Sequence, residues 1–523
     1  MLPANIKSMD ANPKIIFIRR EFNRWRYEIE YSDATRRVVY QPISPSPDCT
    51  IVEAGASLEI GTRFSAKRPT YLAAKRDVIC IGSELSSIVS WLRPNLNLTE
   101  IALALVHDEG YSFASSWIGL HVVPGGGRAS ISGQPSGKLD LEFYPPKISA
   151  SFAQPDLCES LIQSIRDSIG VSDEIAVRFS GGVDSTSILF GARTAYPDSN
   201  IVAVTWSYAD GSSHEDLSFA KKITKELRIE HAILEIDPDL LFSIPAVDYI
   251  TPLPTTALAF CGVIEAELSL LSRGKGQNNL AILDGHGGDH IFFDPLPSEV
   301  ILLAAKERGI SYGIKKLMEY SRLTAKGVPQ IIKEIALTKL RVQAPGEQIF
   351  LSRDAIEHIN LMRKKVKQSK EDRYDKVVQQ AIYQNSFGHI DSSSISIVHP
   401  FTTLEMMGAA AAYRPFEMFN ESSYRAIFKR AMMDRYGQGI MLRNDKGHLT
   451  GAFQRALSKK LPILTELIHD GRLSKCGIIN HMEVMKSIRR NAIGAIGVSS
   501  AVLKILGFEL AMDRLARYTD AYI

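Results

Sequence analysis

Cysteine is scarce in this chain. There are five in 523 residues, Cys49, Cys80, Cys158, Cys261 and Cys476, widely spaced and with no C-x-x-C pair or Cys/His cluster among them. That pattern excludes a disulfide framework and a zinc site of ordinary ligand spacing, and it fits reduced thiols in a cytoplasmic protein. Charge of one sign is also missing. Lys and Arg total 61 and Asp and Glu total 58, for a net charge of +3, so no global field points to nucleic acid or to a membrane surface. Around Arg363-Lys364-Lys365-Val366-Lys367 the chain is locally basic, which reads as a solvated helix face. No run reaches the roughly 18 apolar residues of a membrane span, and Met1-Leu2-Pro3-Ala4-Asn5 lacks the apolar core of a signal peptide. The apolar stretch Ala495 to Met512 is broken by Ser499, Ser500, Lys504 and Glu509 and reads as a packed amphipathic helix.

What is present is the composition of an ordinary globular protein, 45% hydrophobic and 23% charged, in a chain too long for one core. Residues 1 to about 145 hold short β-rich runs, among them Lys14–Ile18, Arg37–Tyr40 and Asp77–Ile81, between Pro, Gly and Ser clusters. Prolines at Tyr144-Pro145-Pro146-Lys147 favour an extended linker and divide the chain into residues 1–147 and 148–523. After it the period changes. Leu157, Leu161, Ile162, Ile165 and Ile169 recur at helical spacing before Gly170, and strands are expected at Glu174–Phe179, Ile201–Trp206, His231–Ile236 and Leu280–Asp284. A helix around Glu215–Leu227 falls between the second and third of these. Strands alternating with helices imply a parallel sheet, whose ligands bind beyond the strands' carboxyl ends. From about residue 298 the chain reads as helical to its end.

Ser180-Gly181-Gly182-Val183-Asp184-Ser185 follows the first of those strands and opens into a helix. Paired glycines let backbone N–H groups approach an anion, and the helix start favours negative charge. Ser180 and Ser185 can donate to phosphate, and Asp184 can hold magnesium. The loop lacks the Gly-Lys-Ser/Thr ending of a Walker A loop. It resembles the pyrophosphate loop of ATP pyrophosphatases, which split ATP into AMP and pyrophosphate. A second constellation, Asp284-Gly285-His286-Gly287-Gly288-Asp289-His290, follows the strand ending at Leu283. Its glycines imply backbone close to a ligand, and Asp289 could share a magnesium ion with Asp184.

Together the two motifs resemble the synthetase domain of the asparagine synthetase B family. The resemblance extends to Gly110–Gly126, similar to the segment that closes the family's N-terminal domain. It also takes in Thr205-Trp206-Ser207, where the adenine-contacting strand would lie, His399-Pro400-Phe401, and the catalytic-lysine segment Arg443-Asn444-Asp445-Lys446-Gly447. It implies an α/β plus β-rich architecture: an N-terminal glutaminase-like (Ntn-type) β-rich domain, then an adenine nucleotide alpha hydrolase-like parallel sheet with a helical C-terminal extension. It also implies ATP contacts from Phe179, Ser180, Gly181, Gly182, Asp184, Ser185, Thr205, Trp206, Gly285 and Gly287. Asp184 and Asp289 would carry Mg²⁺, and Lys446, His286 and Asp289 would be catalytic.

Two departures redirect the function. The family's glutaminase nucleophile is a cysteine after the initiator methionine, where this chain has Leu2, so glutamine is not expected to supply ammonia. The family's Gly-Glu-Gly-Ala-Asp-Glu motif carries His286 and His290 at two of its acidic positions, a pattern similar to that of the lasso-peptide cyclases. That branch closes a macrolactam between a peptide's N-terminal amine and an Asp or Glu side chain, and it implies a precursor peptide as substrate and a leader peptidase with its leader-recognition element as partners. An ammonia-dependent asparagine synthetase or a β-lactam synthetase-like amide ligase is the alternative within the family. A tRNA-modifying pyrophosphatase or an inactive binding protein fits the intact motifs less well.

Overall fold

In the computed structural model the residues described are 13–21, 24–31, 36–39, 46, 49–54, 57–64, 69–75, 78–106, 113–133, 139–145, 148, 154–169, 174–208, 214–246, 249–272, 279–294, 296–339, 347–365, 395–437 and 450–519. Leu2, Gly110 and the Arg443–Gly447 segment with Lys446 lie outside them.

Ten strands precede residue 145: β1 Pro13–Glu21, β2 Arg24–Tyr31, β3 Arg36–Val39, β4 Cys49–Ala54, β5 Ser57–Thr62, β6 Thr70–Lys75, β7 Val78–Gly82, β8 Leu120–Val123, β9 Arg128–Gly133 and β10 Leu139–Tyr144. They form a six-stranded antiparallel sheet, β3-β2-β1-β7-β6-β8, and a four-stranded one, β10-β9-β5-β4. Period-two alternation sets which face each residue serves. Ile16 and Ile18 of β1 join Leu58 and Ile60 of β5 in a core between the sheets. Ile15 and Phe17 point the other way, toward helices Leu85–Leu92 and Leu98–Val106. Those two helices were not anticipated in a region read as strand.

The second part is built on β11 Glu174–Arg178, β12 Ile201–Ser207, β13 Glu230–Glu235, β14 Leu280–Leu283 and β15 Ile395–Val398. All pair in parallel in the order β13-β12-β11-β14-β15. This is the mixed α/β arrangement with a parallel sheet that the alternation implied. β15 is a strand that the helical reading of the chain after 298 did not place. Its run Ile395-Ser396-Ile397-Val398 is four residues long and isolated among helices, too short for a period-two signal to show. β11 is followed in the chain by β12 on one side and flanked by β14 on the other, so the strand order reverses between β11 and β14. A crevice opens at such a switch point beyond the carboxyl ends.

The apolar core does not stop at residue 147. Tyr71, Ile88 and Leu105 share one buried cluster with Phe453, Ile488, Leu506 and Phe508 from the far end of the chain. Ser116 N donates to Pro252 O at 2.7 Å across the same contact. The last helix, Ser500–Thr519, corrects the amphipathic reading, because it is buried on every side from Ala501 to Met512. The two charged side chains in that buried stretch are satisfied rather than solvated. Lys504 Nζ donates to Ala104 O at 3.0 Å, and Glu509 accepts from Arg472 N and Leu473 N, both at 2.8 Å. Among the described residues no helix is long and apolar enough to cross a membrane. All five cysteines are free thiols, four buried and Cys476 exposed.

Burial pushes the Glu509 carboxyl up to about 7, against the backbone N–H groups of Leu473 and Arg472. The folded state therefore holds its proton more tightly than the unfolded chain, where a glutamate titrates near 4.3. Folding stability should fall as pH rises from about 4.3 through about 7, by up to roughly 3 kcal/mol, and stay level above that. Glu509→Gln should flatten this slope in urea unfolding followed between pH 5 and 8.

Candidate active site

Each half of the site grows from a buried strand that is followed by a glycine-rich turn. β11 carries Ile175-Ala176-Val177 into the core, and Phe179 continues its line by donating N–H to Val204 O at 2.7 Å. Gly181 then turns with φ +76°, and Gly182 starts the helix Val183–Ala195. The two serines bind the loop to itself. Ser185 Oγ lies 3.2 Å from both Ser180 N and Ser180 Oγ and donates to Gly182 O at 3.1 Å. The loop is thus held in shape by its own hydrogen bonds.

The second turn is seated directly on the first. A methyl group on Gly288 would fall 2.3 Å from Asp184 Oδ1, and one on Gly285 3.0 Å from Asp184 Cβ. Gly287 has φ +95°, and a Cβ there would meet Thr402 at 2.4 Å. The close backbone approach expected toward a ligand is made, at these positions, toward Asp184 and Thr402. Aromatic packing holds the pieces in place. Phe292, just past the turn, stacks on Phe428 at 4.5 Å, and Phe401 meets Phe428 edge-on at 5.5 Å.

Phe428 belongs to the helix Ala426–Tyr436, so the same packing places Arg425, its preceding residue, over the loop. Arg425 is buried. Its guanidinium pairs with Asp184 through Nη1 and with Asp294 through Nε at 2.9 Å. Burial opposes its charge, but Asp184 and Asp294 hold it above the ordinary arginine range. Sequence reasoning missed both Arg425 and Asp294. An arginine in Ser-Ser-Tyr-Arg-Ala carries no motif, and its partners come from more than a hundred residues away. Lys429, one turn on, donates to Ser423 Oγ at 2.8 Å, and burial and then Arg425 pull its ammonium down.

Asp289 accepts from His290 Nδ1 at 2.9 Å and from His290 N at 3.1 Å. Burial works against its charge, but His290, His286 and Arg425 hold it well below the usual carboxylate range. The rings of His286 and His290 lie 5.3 Å apart, as do those of His286 and His399. Burial, with His399 and His290 adding to it, pushes His286 down to about 4. That corrects the expectation of an unperturbed imidazole near 6.5: His286 is neutral at pH 7 and a weaker base than expected.

Thr205 and Trp206 sit on β12 beside the loop. Thr205 Oγ1 donates to Phe179 O at 2.8 Å and lies 2.8 Å from His231 Nε2. Trp206 Nε1 donates to Glu267 Oε1 at 2.9 Å. Both polar groups are committed inside the protein.

With this geometry in view, the comparisons are decisive on one point. A family model described as asparagine synthase matches residues 156–513. The chain belongs to the asparagine synthase family. It is an ATP-dependent amide-forming ligase, and the resemblance read from the two glycine motifs holds. The chain is 23% identical over 392 residues to the microcin J25-processing protein McjC of Escherichia coli, spanning 73% of this chain and 68% of that protein. Two solved structures overlap it in part. One is the U34-tRNA thiolase NcsA of Methanococcus maripaludis (17% identical, TM-score 0.22, 45% of this chain and 80% of that one). The other is the NMN synthetase of Francisella tularensis (13%, TM-score 0.16, 46% and 98%). At those TM-scores the likeness adds nothing to the fold described above.

Gly288→Ala should force Asp184 and Arg425 apart, at a cost of about 1–3 kcal/mol for an overpacked site. The expected result is a lower Tm and lost pyrophosphate release. An unchanged Tm and rate would show that Asp184 does not need that seat.

Proposed function

We propose that this family member is a macrolactam synthetase. It adenylates an Asp or Glu side chain of a precursor peptide and joins it to the peptide's N-terminal amine, releasing AMP and pyrophosphate. The observation that carries this reading is the pair His286 and His290 flanking Asp289, in a turn packed on the pyrophosphate loop. Similarity to a microcin-processing protein supports a peptide as substrate.

The donor set fits magnesium. Among the described residues no cluster of three or more His, Cys, Asp or Glu side chains could hold a metal ion, but magnesium commonly takes only one or two carboxylates and completes its shell with phosphate and water. Asp184 and Asp289 would hold it. Bound there, the ion would offset charge on the pyrophosphate.

The peptide carboxylate attacks the α-phosphorus and pyrophosphate departs toward the Ser180–Ser185 loop, whose backbone N–H groups receive it as the two serine hydroxyls turn from their bonds within the loop toward it. Preorganised donors of this kind contribute about 2.7–4 kcal/mol each. Arg425 pairs with Asp184 and holds it in place. The N-terminal amine then attacks the acyl adenylate and AMP leaves. His286, neutral at pH 7, can accept the amine proton in that step. Lys446 would stabilise the developing charge. Holding amine and acyl group together supplies up to about 7–11 kcal/mol in favourable intramolecular reactions. The strand-rich N-terminal part would be a glutaminase-like domain lacking its nucleophile, serving as scaffold or as docking surface for a leader peptidase in the cytoplasm.

Incubated with ATP, Mg²⁺ and a linear core peptide, the protein should produce a product lighter by one water, read by mass spectrometry. Asp184→Ala should abolish pyrophosphate release. Conversion of free aspartate to asparagine, or ammonia from glutamine, would overturn the cyclase reading.

A further inference from the structure

A row of polar side chains crosses the carboxyl ends of four adjacent parallel strands beneath the site. Trp206 is next to last in β12, Arg178 closes β11, Asp284 follows β14 and His399 follows β15. They are joined end to end. Glu267, on the helix Cys261–Ser272, is fully buried and accepts from Trp206 Nε1 at 2.9 Å and from Arg178 Nε and Nη2 at 2.9 and 2.6 Å. Arg178 reaches the other way, donating from Nη1 to Asp284 Oδ2 at 3.0 Å. The guanidinium also lies 5.7 Å from the centre of the Trp206 ring. Asp284 Oδ1 accepts from His286 N at 2.8 Å and sits 3.7 Å from His399 Nδ1.

This row has no part in the chemistry proposed above, yet it is costly to build. A buried carboxylate such as Glu267 is tolerated only when paired and hydrogen-bonded. Here every bond it makes runs to one of two residues, and those two face opposite halves of the site. Trp206 is on the side where the base of ATP is expected. Asp284 fixes the first residue after Gly285 in the turn that bears His286 and Asp289. The planar fork of arginine can grip two carboxylates at once in fixed geometry, which a lysine cannot do.

We infer that Arg178 is a positioning residue which, through Glu267 and Asp284, locks the Trp206 strand and the His286–Asp289 turn at one spacing. Its functional consequence rests on the adenylating-ligase reading; the coupling itself does not.

The test uses the full chain labelled with 5-fluorotryptophan. The chain has four tryptophans, and the Trp206 ¹⁹F resonance is assigned by its loss in Trp206→Phe. Asp284→Asn keeps an acceptor for His286 N but gives up the charge that holds Arg178. It should shift the Trp206 resonance, although Asp284 and Trp206 share no bond, and should speed amide exchange across 285–291 by about tenfold or more. Arg178→Met should do both, and the double variant should go no further than the stronger single one, as coupled sites require. With ATP and core peptide, kcat should fall about tenfold in Asp284→Asn. An unmoved Trp206 resonance in Asp284→Asn, additive effects in the double variant, or full kcat would each overturn the inference. A wild-type protein that never releases water from a core peptide would instead sink the cyclase reading, while resonance and exchange still judge the coupling.

Discussion

The contact between Asp184 and Gly288 is the constraint on which the site depends. Asp184 is in the first turn of the helix after the Ser180–Ser185 loop, and its carboxylate fills the space where any other residue at 288 would carry a side chain. That single seat brings two turns, more than a hundred residues apart in sequence, into one surface at the switch point of the sheet. Arg425 completes it from above, and the Phe292–Phe428–Phe401 cluster delivers Arg425 there. Removing the arginine would break the ion pair that holds the Asp184 carboxylate over the second turn. Shape and charge are therefore inseparable at this point. The glycine is needed because the aspartate is there, and the arginine holds the aspartate in that seat.

Much of this was legible in the residues. Ile175–Val177 and Leu280–Leu283 announce buried strands by unbroken apolar runs, and the glycines after each mark the ligand end of a parallel sheet. β13 and the helix Leu157–Ser168 fall within a residue or two of where periodicity put them. What could not be read has a common physical cause: its signal is spread over distant residues. β15 is four residues without context until β14 lies beside it. Arg425, Asp294 and Glu267 have ordinary neighbours in sequence and acquire meaning only by burial. The shift of His286 to about 4 likewise comes first from desolvation and then from His399, neither of which its own glycine-rich segment encodes, with His290 adding to it from within that segment.

The two halves of the chain also meet through groups that composition alone would place in solvent. Lys504 and Glu509 interrupt the final apolar stretch, as exposed charges on an amphipathic helix would. Instead both are buried, each paired with backbone, and they fix the helix against the strand-rich region and against residues 472–473. A linker of prolines between the halves does not make them independent bodies when they contribute to a single apolar cluster.

That shared cluster has a consequence for the order in which the protein can be made. Helices Leu85–Leu92 and Leu98–Val106 are complete early in translation, but the helix packed against them, Ser500–Thr519, is made much later. At about 5–20 residues per second, the roughly 400 residues between them take on the order of 20–80 s to synthesise. For that interval Ile88, Leu105 and their neighbours lack the cover that the later helix gives them.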